Sequence, residues 1–293
     1  MTTLFGCGGT VQTAAGPPSD AYGGPVVDMH THVLFDGSGM GTEQPPTWVG
    51  LSAEMERAGV TRAGVIAIAP AGDLETTRAQ NDALHALVQA HPDRLFAIGS
   101  VHPDDGELAL REIDRIAGLG FSALKLHPNT QGLDVSSPAV LATVTRATER
   151  GLPVLFDGFN PFDADQTGKI LMLAAQVPEA RIVLAHMGGP RFVETLVFGM
   201  VRRFSWYARN VWVDLSVTAT TFADSPYETH LVWVARQIGI DRVLFGSDFP
   251  VTTPAESLRS VRALGFDPEE ERRILHDNAV SLFGLAARPV PGR

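Results

Sequence analysis

The chain has 293 residues, 44% of them hydrophobic and 19% charged, with 33 Asp and Glu against 23 Lys and Arg for a formal net charge of −10. That is enough apolar material for one large core or two small ones, which excludes disorder and mini-protein scaffolds, and the acidic balance repels a phosphate backbone and argues against nucleic acid as a partner. A lone cysteine, Cys7, excludes an internal disulfide framework and a Cys-rich zinc motif, and fits a reducing compartment.

No run of about 18 consecutive apolar residues occurs, so no membrane span is expected. Residues 1–24 are rich in Gly, Thr, Ala, Ser and Pro, lack a hydrophobic period, and read as a flexible leader. Within it, Leu4-Phe5-Gly6-Cys7-Gly8-Gly9 has the form of a lipoprotein cleavage box but lacks the basic and apolar segments that precede one. The expectation is a cytoplasmic protein, with export or lipidation the alternative if translation begins upstream of Met1.

From Pro25 onward the chain alternates short apolar runs with segments of helical period. The runs are Val26–His30, Ala63–Ile68, Leu95–Gly99, Ala123–His127, Pro153–Asp157, Ile182–His186, Val211–Leu215 and Val243–Asp248. Early acids in Asp104-Asp105-Gly106-Glu107 open one intervening helix, and Ala139–Arg150 and Glu269–Phe283 repeat apolar residues three and four apart. Continuous apolar strands joined by helical crossovers require a parallel sheet, and eight such units over about 260 residues predict an α/β fold, a (β/α)8 TIM barrel occupying 25–293 as a single domain. An open doubly wound sheet is the alternative, but it usually carries a Gly-rich turn after its first strand, where this chain has His30-Thr31-His32.

Active sites of this barrel lie at the carboxyl ends of the strands. Five of the nine histidines fall there: His30, His32, His102, His127 and His186. Lys125, Asp157 and Asp248 join them, while His85, His91, His230 and His276 lie in the spacers. In a strand, residues i and i+2 share a face, so His30 and His32 can converge on one ion. Asp28 precedes them, and Asp248 ends the eighth strand, the first strand's neighbour in a closed barrel.

The phrases Asp28-Met29-His30-Thr31-His32, Leu126-His127-Pro128, Ala185-His186-Met187-Gly188-Gly189, Phe245-Gly246-Ser247-Asp248-Phe249-Pro250 and Asn278–Leu285 resemble the amidohydrolase superfamily, best its aminocarboxymuconate-semialdehyde-decarboxylase-like branch. The resemblance covers nearly everything after residue 25. It implies that His30 and His32 bind a divalent metal, that Asp248 is both ligand and proton acceptor from the activated water, and that His186 polarises that water or the substrate oxygen. The family's further ligand is a histidine after strand five, where this chain has Asp157. A carboxylate is an acceptable ligand of zinc or manganese. Asp157 is therefore read as a ligand of one zinc, with manganese the alternative, or as a partner of substrate or histidine, or as structural; some lactonases of the branch resemble this pattern and act without metal.

Lys125 and His127 point the same way on strand four and are read as substrate-binding. For Lys125, binding a substrate carboxylate, carbamylation between two metals and pairing with an acid such as Asp157 stay open, and His127 is also able to replace the missing ligand. His102 is read as a helix cap, Asp214 as a hydrogen-bonding residue beneath the site, His276 as a structural contact, and Phe204, Trp206 and Tyr207 as packing or interface. The expected reaction is attack of a metal-activated water on an amide, ester or lactone carbonyl of a small, anionic substrate. Non-oxidative decarboxylation, a metal-independent lactonase and a catalytically reduced small-anion-binding barrel are the alternatives. Specificity is assigned to loops 34–46, 129–135 and 159–167, and the resemblance implies a homodimer.

Overall fold

The computed structural model describes residues 21–35, 42 and 46–285. The cleavage-box sequence Leu4–Cys7 lies outside them. All eight expected strands are present: β1 (Val26–His32), β2 (Val60–Ile66), β3 (Leu95–Ser100), β4 (Ala123–Leu126), β5 (Val154–Phe156), β6 (Ile182–Leu184), β7 (Val211–Asp214) and β8 (Val243–Leu244). They form one parallel sheet in sequence order. The ring closes where Met29 N donates to Phe245 O at 3.0 Å, His32 N to Phe249 O at 2.8 Å and Asp248 N to His30 O at 2.7 Å.

A helix follows each strand: α1 (Trp48–Ala58), α2 (Leu74–Ala90), α3 (Glu107–Gly118), α4 (Pro138–Glu149), α5 (Gln166–Gln176), α6 (Leu196–Val201), α7 (Glu228–Ile238) and α8 (Pro254–Ala263). Their starts use the expected chemistry. Ser137 accepts from Val140 N, and Thr253 with Glu256 forms a reciprocal capping box ahead of Pro254. The segment Glu269–Phe283 is not one α-helix: a π-helical turn, Arg273–Asp277, separates Pro268–Arg272 from Asn278–Phe283. Its end packs Ala279, Leu282 and Phe283 with Val27, Met29, Phe96 and Leu244, opposite the functional face. Among the described residues no helix is long and apolar enough to cross a membrane.

Tyr22, inside the segment read as leader, is held to the barrel: its N–H donates to Glu271 at 2.9 Å and its carbonyl accepts from Arg262 at 3.1 Å. A buried polar network ties α2 and α3 to the strand ends. Glu112 accepts from Asn81 (2.9 Å), Arg115 (2.7 and 2.8 Å) and Arg78 (3.2 Å); Asn81 bonds both backbone groups of Ser100, whose hydroxyl donates to Lys125 O at 2.9 Å.

Candidate active site at the carboxyl face of the barrel

The end of β1 supplies His30 and His32, and the segment after β8 supplies Asp248. His32 Nε2 lies 3.1 Å from Asp248 Oδ1, and His30 Nε2 lies 3.3 Å from the same oxygen. Asp248 reaches this position with a φ of 61°, a left-handed conformation that costs a non-glycine residue energy and that the barrel-closing bond to His30 O fixes. Gly246 permits the approach, because a Cβ there would sit 2.7 Å from His30 Cβ.

Asp214, at the end of β7, lies beneath this group. Its Oδ2 accepts from His30 Nδ1 at 3.0 Å, and its Oδ1 accepts from the amides of His186 and Ser216, each at 3.0 Å. An ionised carboxylate only accepts, so His30 carries its proton on Nδ1 and turns the Nε2 lone pair toward Asp248. Burial and Lys125 lower the His30 pKa to about 4, despite Asp248 and Asp214, so the ring is neutral at neutral pH. Burial raises the fully buried Asp28 carboxyl to about 7; its Oδ1 accepts from Ser247 N and His30 N.

His186 starts the connection after β6, where His186, Met187, Gly188 and Gly189 all have positive φ. Its Nε2 faces Asp157 Oδ2 at 3.1 Å and its Nδ1 faces the Ser216 hydroxyl at 2.9 Å. Burial alone would lower its pKa, but the charge and hydrogen bond of Asp157, with Asp248 and Asp214, raise it to about 9, so the imidazole is a cation. The carboxylates respond in kind. Burial opposes ionisation of Asp157 and Asp248, yet His186, Lys125 and His127 around the first, and His30, His186 and His32 around the second, hold both well below the usual carboxylate range.

Lys125 has no exposed surface; its Nζ lies 3.5 Å from His30 Nε2 and 3.9 Å from Asp157 Oδ2. His127 caps a short helix, Pro128–Gln131, accepting Thr130 N at Nδ1 and directing Nε2 to Asp157 at 3.5 Å. Burial and Lys125 lower its pKa to about 4 against the pull of Asp157, so this ring is neutral.

Two groups of donors converge among the described residues: His30, His32 and Asp248, and His30, His186 and Asp214, each with its ligand atoms within 4.8 Å of one another. Asp157 and His127 belong to neither. The 3.1 and 3.3 Å separations in the first group match the edge of about 3.3 Å expected when ligands stand about 2.0–2.1 Å from a tetrahedral cation. Asp214 bonding the far nitrogen of His30 is the outer support that metal-binding histidines generally have. The second group is spent on its own hydrogen bonds, so the first is the better fit to a cation.

A cavity of about 430 Å3 opens above, with His127, Asp157, His186 and Asp248 at its floor and Phe159, Pro190, Val217, Phe222 and Val251 among its walls. Loops 129–135 and 159–167 contribute Asn129 and Phe159 to it, whereas most of 34–46 lies outside the described residues. His102 instead caps the turn Pro103–Asp105 and bonds Gln131 O at 2.9 Å, and His276 bonds its neighbour Asp277. Ser216, bridging Asp214, His30 and His186, went unread in the sequence; its place two residues after Asp214 at a strand end is the signal that finds it.

The barrel is similar to solved structures at 18% identity, which shows the fold. These include a 2,6-dihydroxybenzoate decarboxylase from Rhizobium (TM-score 0.69, covering 89% of this chain and 99% of that one). Another is a 5-carboxyvanillate decarboxylase from Novosphingobium aromaticivorans with bound manganese (TM-score 0.66, covering 91% and 98%). A third is a "probable 2-pyrone-4,6-dicarboxylic acid hydrolase" from Acinetobacter baumannii (TM-score 0.62, covering 89% and 99%). The amidohydrolase family model matches residues 27–285, and the chain belongs to that family of enzymes.

Proposed function

We propose that the chain hydrolyses an ester, lactone or amide bond of a small molecule. The observation that carries this reading is the pair of groups at the cavity floor, an ionised Asp248 and a cationic His186. Hydrolysis of an acyl bond needs a base for the water and positive charge for the oxyanion, and these two residues supply both. His30, His32 and Asp248 would hold one divalent cation, zinc or manganese. When bound, that cation supplies a Lewis acid that lowers the pKa of water and polarises a carbonyl.

Asp248 takes the proton of the attacking water and returns it to the leaving oxygen or nitrogen. His186 acts through its charge, because both ring nitrogens are engaged, by Ser216 and Asp157. Asp157 keeps His186 protonated, and Asp214 fixes the His30 tautomer. Neutral His127 presents its Nε2–H beside Asp157, at the edge of the space a substrate carbonyl would enter.

Non-oxidative decarboxylation of an aromatic acid is the second reading, supported by the decarboxylases whose barrels this one resembles and by the same three donors. It requires a protonated group to deliver hydrogen to carbon, which the ionised Asp248 does not offer and the protonated His186 would have to supply. One experiment separates the two. The purified chain, with its metal content measured beside that of His30→Ala, is incubated with an ester and lactone panel and a hydroxybenzoate panel. Acid release that vanishes in Asp248→Asn supports hydrolysis; carbon dioxide release from the second panel replaces it with decarboxylation.

A further inference from the structure

The sequence expectation of an anionic substrate leaned on Lys125, and the fold removes that support: Lys125 is fully buried, with its ammonium between His30 and Asp157. Among the described residues no other Lys or Arg lines the cavity. The connections after β2 to β8, residues 67–73, 101–106, 127–137, 157–165, 185–195, 215–227 and 245–253, hold ten Asp and Glu and one Lys or Arg, Arg191, beside the cationic His186 at the cavity floor. Arg191 lines a separate small cleft and donates to the Asp163 carbonyl at 2.8 Å. The connection after β1, residues 33–47, contains neither Lys nor Arg in its sequence. Lys169, in the first turn of α5, reaches this face but is paired with Asp163 at 2.8 Å and Asp134 at 3.1 Å and does not line the cavity.

The cavity agrees with this charge pattern. Above its polar floor the walls are mostly apolar, with Phe159, Pro190, Val217, Phe222 and Val251, and their polar members, Asn129, Thr218 and Thr221, are uncharged. At about 430 Å3 it stands at the small end of ligand pockets, which run from about 300 to 1,000 Å3. A carboxylate on the body of a substrate, away from His186 at the floor, would meet Phe159, Pro190, Val217, Phe222 and Val251 with no Lys or Arg among the lining residues, and burying an unpaired charge is costly. We infer that the substrate is a compact, uncharged ester or lactone with an apolar or aromatic body, and that the mouth discriminates against carboxylated analogues of it. This rests on the hydrolase reading for the bond broken, but not for the charge selection.

Binding and turnover are therefore tested separately, on the full chain carrying whatever metal it is purified with. Fluorescence titration compares coumarin with coumarin-3-carboxylate, and hydrolysis compares dihydrocoumarin with its 6-carboxy derivative. The expected result is at least about tenfold tighter binding of coumarin, equivalent to about 1.4 kcal/mol. Val251→Arg, at an exposed wall position, moves the preference toward the carboxylate, and Thr221→Lys serves the same purpose should the first variant not fold. Equal or tighter binding of coumarin-3-carboxylate by the unmodified chain overturns the inference, as does failure of both probes to bind. Binding of coumarin without turnover of dihydrocoumarin refutes the hydrolase reading and leaves the charge selection standing.

Discussion

Asp214→Asn tests whether the group beneath the site sets its chemistry. The side chain has no exposed surface and accepts His30 Nδ1–H at Oδ2 and two amides, those of His186 and Ser216, at Oδ1. Asparagine offers one oxygen and one NH2. If its oxygen serves His30, the two amides each face a donor and lose their acceptor, at about 1–3 kcal/mol apiece. If its oxygen serves the amides, NH2 faces His30 Nδ1, and the ring escapes by moving its proton to Nε2. The second arrangement leaves fewer groups unsatisfied, so the variant folds with a loss of about 1–3 kcal/mol, seen as a lower urea midpoint at unchanged slope. The lone pair toward Asp248 is then gone. Zinc or manganese affinity, measured by calorimetry against wild type, falls about 10–100-fold, as is usual when an outer partner of a ligating histidine is changed. Nitrogen-15 spectra of the imidazole report the tautomer directly. An Asn variant that binds zinc as tightly as wild type with Nδ1 still protonated would refute the reasoning.

Asp248→Asn keeps the fold and lowers turnover of any hydrolysed substrate by about 10²–10⁴, the usual worth of a positioned base; steady-state kinetics beside a circular dichroism melt check both halves. Gly158→Ala places a Cβ 1.9 Å from the Ala185 carbonyl, so the ends of β5 and β6 must part. The loss is at least about 1–3 kcal/mol in a urea melt, with turnover falling as Asp157 separates from His186. Glu112 is held below its ordinary pKa, since Arg115, Asn81 and Arg78 outweigh the opposing effect of burial. A depressed folded pKa gives stability that is present above the unfolded value of about 4.3 and lost as pH falls through the folded value. The urea midpoint of wild type therefore drops through that acid range, and in Glu112→Gln it starts lower at pH 7 and falls less steeply.

The barrel was legible because every strand is an apolar run, all but the second with a chemistry-bearing residue at or just past its end, and helix-sized spacing leaves parallel closure as the simple solution. What the sequence hid were the departures from regular geometry. The run Val243–Asp248 is strand only over Val243–Leu244, since Gly246 to Asp248 leave the ladder to close on His30. Periodicity over Glu269–Phe283 reads as one helix, and the π-helical turn within it keeps the apolar positions close enough to the helical period to be invisible. At the site, His30, His32 and Asp248 were readable as one group from strand adjacency alone. Which of Lys125, His127 and His186 meets Asp157 was not, because that depends on side-chain reach across three neighbouring strand ends.

Asp157 explains why this site differs from the pattern its family resemblance implies. A histidine there would be neutral and free to ligate. The carboxylate instead gathers His186 at 3.1 Å, His127 at 3.5 Å and Lys125 at 3.9 Å, all buried or nearly so. Leaving that cluster for a cation would strand His186 and Lys125 without a counterion, and removing one partner of a buried pair costs about 3–5 kcal/mol. The exchange therefore acts on His186 more than on the metal group: it supplies the negative charge that turns an imidazole into a cation at the cavity floor. A site so altered still has three converging donors and an ionised base, and has gained a fixed positive charge where an acyl oxyanion would form.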